Sequence, residues 1–230
     1  MAVGCAHHVT QRGVDRQAVF SSERDRRFYL DLLWEHASTE GLEVIGYCLM
    51  TNHVHLVVVP LREQSMARAL ARVQGEYAQR ANWGLGRSGH LWQNRYYSCP
   101  MDQKHLWRAL RYVEMNPVRA RLVEQAWEWV WSSAGVHVGT LPAVQSPLAM
   151  AWWREQFDEQ EWREYLAAGA DTDEAELRRS TRNGWALGEE GFLAELERRL
   201  GRPVRPRARG KPPKKSPASE ASLYSVTRAG

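Results

Sequence analysis

Two β-rich runs separated by a short connection constrain this chain more than any other feature. Residues 42–49 (LEVIGYCL) and 54–59 (VHLVVV) are dominated by the branched and aromatic side chains that suit a pleated strand. The connection Met50-Thr51-Asn52 is of hairpin length, so the two runs pair as neighbours. A helix is predicted on each side of this hairpin. Over residues 22–38, Phe28, Leu32 and His36 recur at helical spacing, with Tyr29 and Leu33 beside them, and Ser21 or Ser22 can cap the start. Over residues 65–83, Met66, Leu70, Val73 and Tyr77 share one face. A strand is predicted at 6–12. Another is predicted at 96–101, after a loop marked by Gly84, Gly86 and Gly89. Asp102 then caps a helix that runs to Asn116, where Pro117 stops it. The order strand, helix, strand, strand, helix, strand opens the chain with a ferredoxin-like split βαβ unit. The expected class is α+β: an antiparallel sheet with helices on one face, plus a mostly helical C-terminal extension.

Beyond residue 121, Trp127, Trp129 and Trp131 alternate and read as core packing. Helical stretches follow near 147–168, 172–182 and 189–200. From Gly201 to Lys215 there are seven basic and no acidic residues, so a disordered basic tail is expected. The expected units are therefore 1–135, 136–200 and 201–230.

Charge is distributed unevenly. Residues 62–121 carry a net +7, residues 122–200 a net −8 and residues 201–230 a net +7, within a total of +4. Basic blocks suit a polyanion, and the acidic block argues against uniform membrane adhesion; solvated helix faces are the plainer alternative. Three separated cysteines without any C-x-x-C pairing point to a reduced, cytoplasmic protein with no disulfide framework. No apolar signal-type run opens the chain, and the stretch 44–60 is broken by Asn52, His53 and His55, so it is not a membrane span.

His53-Val54-His55 begins the second strand of the hairpin. Alternation sends both imidazoles to one face, where two histidines can share a metal ion. Taken alone, the pair is more often a bland strand end. On the helix from Asp102, Leu106, Ala109, Leu110 and Val113 form the apolar stripe. Tyr112 and Asn116 lie one turn apart on its flank, bordering the core without being buried in it. A boundary tyrosine and a helix-end amide are the plain readings there.

In combination these segments are specific. The run Tyr47 to Leu56 resembles the HUH motif region of REP-associated tyrosine transposases, of the single-tyrosine HUH endonuclease superfamily. Four further segments are similar to the same family and stand in its order: His8 to Gly13 followed by Val19-Phe20; Gly89 to Tyr96; Arg111 to Ala120; and Trp131-Ser132-Ser133. Residues 186–203 and the Gly-Lys-Pro that follows resemble the family's C-terminal extension. Thr51 stands where the family usually has proline, and the basic lead-in before the first strand is reduced to residues 1–6.

The resemblance implies a HUH transposase domain over 1–135 that cleaves and rejoins single-stranded DNA. Tyr112 would be the nucleophile, forming a 5′-phosphotyrosine. His53, His55 and Asn116 would hold Mg2+ or Mn2+. The substrates it implies are palindromic repeat hairpins. REP-associated members are expected to act as monomers in cis, a dimer being the alternative drawn from insertion-sequence relatives. Phosphate contacts are expected from Arg12, Arg68, Arg72, Arg95, Arg108 and Arg119, and base stacking or loop packing from Trp92. The expected location is the cytoplasm, on the nucleoid when bound to DNA. Two other readings stand beside this one: a hairpin-binding protein that no longer cuts, and a two-histidine phosphoesterase using His8-Val9-Thr10, for which a second H-x-T or H-x-S is missing.

Overall fold

The computed structural model describes residues 2–142, 147–168 and 174–206. The expected tail beyond residue 206 lies outside the described residues.

Four strands, β1 (Ala6–Arg12), β2 (Leu42–Leu49), β3 (His53–Pro60) and β4 (Tyr97–Met101), form one antiparallel sheet in the order β2-β3-β1-β4. This is the ferredoxin-like arrangement expected from the order of elements. Helices α1 (Glu23–Glu40) and α2 (Ser65–Gly84) are the two crossovers of the split unit. Ser22 caps α1 in a reciprocal capping box with Asp25, satisfying two backbone donors at the helix start.

Period-two alternation divides the strands between two cores. Val9, Val44, Tyr47, Leu49, Val54, Leu56 and Val58 face α1 and α2, meeting Tyr29, Leu33, Met66, Leu70, Val73 and Tyr77. Ile45, Cys48, Val57, Val59, Cys99 and Met101 face the other way. There α3 (Gln103–Glu114) lays Leu106, Ala109, Leu110 and Val113 on the sheet. Both faces are thus covered: the split unit's own helices lie on one, and α3 with the C-terminal region lies on the other.

The register of β2 against β3 shifts between Val44 and Gly46. The extra residue turns Ile45 and Gly46 both toward α3. A methyl group on Gly46 would lie 2.2 Å from Leu110 Cδ1, so α3 reaches its seat only because this position has no side chain.

The remaining described α-helices are α4 (Asn116–Arg119), α5 (Ala134–His137), α6 (Met150–Arg154), α7 (Glu159–Ala167), α8 (Glu174–Asn183) and α9 (Glu190–Leu200). Trp153, Trp162, Leu166, Leu177 and Leu187 join the α3 core, which therefore runs without a break across residue 135. Trp127, Trp129 and Trp131 are partly buried against the cores, as the sequence suggests.

A buried carboxylate fixes α3 within this core. Glu114 accepts from Ser133 Oγ at 2.5 Å, His137 Nδ1 at 2.6 Å and Trp162 Nε1 at 2.8 Å. A fully buried charge is tolerable only with such complete pairing.

Residues 201–206, which the basic composition assigns to the tail, are packed on the fold. Val204 packs with Ala2, Ala186 and Leu196, and Arg205 pairs with Glu190 and Glu197 of α9. One apolar side chain and an acidic helix hold residues 201–206 in place. Among the described residues, no helix is long and apolar enough to cross a membrane.

Candidate active site

His53 and His55 stand at the start of β3, opposite Arg12 and Thr10 of β1. Alternation puts both imidazoles on the α3 face, with ring centroids 4.9 Å apart. His8, also on β1, stacks on His55 at 5.2 Å, and its Nε2 lies 2.9 Å from His55 Nδ1. Asn52 fixes the tautomer of His53. Its Nδ2 donates to Arg16 O at 3.0 Å, which turns its Oδ1 toward His53 Nδ1 at 2.6 Å. An amide oxygen only accepts, so Nδ1 carries the hydrogen and Nε2 carries a lone pair. Burial pushes all three histidines down, His53 to about 4, His8 to about 3 and His55 well below the usual imidazole range. Near-neutral pH therefore leaves them uncharged.

Tyr112 comes from α3. Its ring meets His8 and His55 edge-on, with centroids 5.7 and 5.5 Å away. Two guanidinium groups approach the ring: Arg119 at 4.2 Å and Arg178 at 5.4 Å from its centroid. Arg178 Nε donates to the Tyr112 hydroxyl at 3.1 Å, and Arg119 Nη2 donates to the Tyr112 carbonyl at 2.7 Å. Glu174 joins both arginines. Asn116 Nδ2 donates to Tyr112 O and Val113 O, both at 3.1 Å, capping the end of α3 and leaving Oδ1 outside those bonds. The expectation that this flank lies beside the core without burial needs correction. Tyr112 is 6% and Asn116 8% exposed: Arg178 of α8 and Arg119 of α4 cover the tyrosine, and Asn116 folds back on the end of α3.

His8, His53, His55, Tyr112 and Asn116 line one open cleft, together with Arg12, Arg16, Arg178 and Arg182 and, among the described residues, a single acid, Asp15. A cleft so biased attracts phosphates. For a divalent cation the donor set fits. His53 and His55 have Nδ1 engaged and Nε2 without a hydrogen bond among the described residues, and Asn116 offers an amide oxygen on the same cleft. Among the described residues, no group of three or more His, Cys, Asp or Glu is placed to hold a metal, so the set depends on Asn116.

The expected DNA contacts separate. Arg12 is exposed on the cleft. Arg119 is engaged beneath Tyr112, while Arg108 lines a small apolar cavity with His105 and Leu177. Arg95 is exposed in the loop before β4. Arg68 and Arg72 stand on α2, across the sheet from the histidines and at the Pro60 end, where Arg72 pairs with Glu40. Trp92 is no stacking platform. It is 8% exposed, packs between Tyr29 and Tyr77, and donates from Nε1 to Gln74 O. An indole with its N–H satisfied inside a core is a packing residue. The phosphoesterase reading also fails, since His8 is 1% exposed and Thr10 Oγ1 donates to Val54 O.

The sequence reading misses His8 as a partner of His55, as well as Glu174, Arg178 and Thr181. Strand alternation points to His8 once β1 is paired with β3. The other three lie more than 55 residues from Tyr112 and carry no local signal.

The family described as "Transposase IS200 like" matches residues 2–116. A candidate REP-associated tyrosine transposase of Haemophilus influenzae is 26% identical over 102 residues, covering 40% of this chain and 58% of that protein. The match thus spans little more than half of the relative's length. Among solved structures, a REP-associated tyrosine transposase bound to a REP hairpin aligns with a TM-score of 0.51 at 15% identity, over 60% of this chain and 81% of the other. That likeness is one of fold. A candidate transposase of Deinococcus radiodurans aligns with a TM-score of 0.36 at 20% identity, over 47% and 88% of the two chains.

Proposed function

The chain belongs to the IS200-like transposase family, and on that footing we propose that it is a metal-dependent endonuclease and strand transferase acting on single-stranded palindromic hairpins through a 5′-phosphotyrosine. The observation that carries this reading is the meeting of Tyr112 with His55, at 5.5 Å between ring centroids, on a cleft with four arginines. A tyrosine hydroxyl, two uncharged imidazoles and phosphate-binding cations are the parts that phosphodiester transfer needs.

Tyr112 Oη attacks the scissile phosphorus. The new O–P bond forms as the P–O3′ bond breaks, the phenolic proton passes to water, and the 3′ oxygen takes a proton from water. The products are a tyrosyl 5′-phosphate and a free 3′-hydroxyl. A second 3′-hydroxyl reverses these changes and joins strands. His53 and His55 through Nε2, and Asn116 through Oδ1, would hold Mg2+ or Mn2+, which when bound supplies Lewis-acid polarisation of the phosphate. The arginines orient the DNA backbone and give binding a steep salt dependence. Tyr112 meets its histidines within one chain, which supports a monomer acting in cis. Its place of action is the cytoplasm, on the host DNA.

The test is a labelled single-stranded hairpin from the host's palindromic repeats, incubated with the protein and Mn2+ and resolved on a denaturing gel. Wild type should give a covalent adduct. Tyr112→Phe should give none while binding the hairpin about as tightly. A phenylalanine variant that still forms the adduct would overturn the assignment of the nucleophile. Cutting through water, with a free 5′-phosphate and no adduct, would replace the transposase reading by a plain nuclease. Binding without cutting would leave a hairpin-binding protein.

A further inference from the structure

The family match ends at residue 116, yet the Tyr112 hydroxyl is held by a side chain far beyond it. We propose that Arg178 is a catalytic residue of strand cleavage, fixing the attacking oxygen of Tyr112 and passing its remaining donors to the scissile phosphate. This role rests on the phosphotyrosine reaction above and adds a residue to it.

Geometry carries the proposal. Arg178 Nε lies 3.1 Å from Tyr112 Oη, and Nη2 lies 3.4 Å from Glu174 Oε2. Nη1 has no hydrogen-bond partner among the described residues, and the side chain is 59% exposed on the cleft that holds His53 and His55. A guanidinium presents five donors in a rigid fork and accepts none. The phenol oxygen must therefore be the acceptor in this bond, which leaves its second lone pair and its own proton for the reaction. Arg178 lines the same cleft as Tyr112, His53 and His55, where an oxyanion must come if that oxygen is to reach phosphorus.

Its surroundings preset the orientation. Glu174 takes Arg178 with one oxygen and Arg119 with the other, and Arg119 in turn grips the Tyr112 carbonyl. Tyrosine, two arginines and one carboxylate form a closed set spanning α3, α4 and α8. The bonds that change are Tyr112 O–P forming and P–O3′ breaking, with protons exchanged with water and none with Arg178. Donors fixed in advance on developing phosphate charge lower the barrier without reorganisation.

The experiment uses the full chain, Mn2+ and a labelled hairpin, measuring single-turnover adduct formation and hairpin affinity together. Arg178→Ala should slow adduct formation on the order of 100- to 1000-fold, as loss of a preorganised donor does, with affinity changed by less than about tenfold. Arg178→Lys keeps the charge without the fork and should remain at least tenfold slow. Methylguanidinium added to Arg178→Ala should restore part of the rate, a response that a scaffolding role would not give. Arg179→Ala, next on the helix, should match wild type. An Arg178→Ala protein cutting at the wild-type rate, or a slow one deaf to methylguanidinium, overturns the proposal while leaving the tyrosine reaction standing. A wild type that forms no adduct removes the reaction and this role with it.

Discussion

His8 and Thr181 are 173 residues apart in sequence and joined by a 2.7 Å hydrogen bond between Nδ1 and Oγ1. His8 Nε2 continues the line to His55 Nδ1 at 2.9 Å. If His55 presents a lone pair at Nε2, its Nδ1 must donate to His8, and His8 Nδ1 must then donate to the threonine oxygen. In that arrangement α8 supplies the acceptor that completes the chain and supports this tautomer of a histidine on β3.

Replacing Thr181 with valine keeps the volume and removes the acceptor. The orphaned His8 Nδ1 is fully buried, so stability should fall by about 1–3 kcal/mol in urea denaturation. Ligand orientation should suffer as well, and the Mn2+ concentration for half-maximal adduct formation should rise roughly tenfold or more. A lower stability with an unmoved Mn2+ midpoint would reduce the tie to a packing contact.

Asn116→Ala removes an amide oxygen from the cleft and two bonds to the end of α3. The expected outcome is a Mn2+ requirement raised roughly tenfold or more, hairpin affinity close to wild type, and a stability loss of about 1 kcal/mol. Cleavage that follows the wild-type Mn2+ titration would remove Asn116 from the ligand set.

The sheet, α1, α2 and α3 are legible in the sequence because local rules dictate them. The alternation around His53, the stripe Met66, Leu70, Val73 and Tyr77, and the caps at Ser22 and Asp102 each act within a few residues. The grouping of Tyr112, His53, His55 and Asn116 is legible only from motif order, since no periodicity links a strand to a helix 60 residues on. What escapes the sequence is long-range. Burial of Tyr112 depends on α8, and the core position of Trp92 depends on how its loop folds between α1 and α2. The placement of Arg68 and Arg72 across the sheet follows from topology, which a count of basic residues ignores.

Stability should fall in mild acid, and His7 contributes. Its ring is buried, Nε2 donates to Ala2 O at 3.2 Å, and Nδ1 has no partner among the described residues. Burial lowers its pKa to about 4 from the ordinary 6.5. The folded value lies below the unfolded one, so below pH 6.5 the unfolded chain binds a proton that the folded chain refuses. Its share of stability is thus complete above about pH 6.5 and declines as pH falls toward 4, by about 1.4 kcal/mol per unit at most. His7→Gln keeps a donor and should flatten that decline when urea midpoints are compared between pH 7 and pH 4.5. Parallel curves for the two proteins would show that His7 is not among the groups responsible.

Gly46→Ala tests whether the seat of α3 governs chemistry. The added methyl would meet Leu110 Cδ1 at 2.2 Å and Ser133 Oγ at 2.9 Å. Leu110 is fully buried, and Ser133 is already bonded to Glu114, so neither can swing aside cheaply. Relief requires α3 to lift from the bulge in β2, and Tyr112 travels with it because it lies only two residues beyond Leu110. Overpacking of this kind costs about 1–3 kcal/mol. A small displacement of a nucleophile from its phosphate slows reaction by much more than it weakens binding. Single-turnover adduct formation should therefore fall roughly tenfold or more at a temperature where the variant remains folded and holds the hairpin. Gly75→Ala is the matched control. It sits in the exposed middle of α2 with nothing within 4 Å of the new methyl, so it should be neutral or stabilising by up to about 1 kcal/mol and leave cleavage unchanged. Equal rates in the two alanine variants would mean that α3 has room to spare and that the glycine in the bulge serves the strand alone.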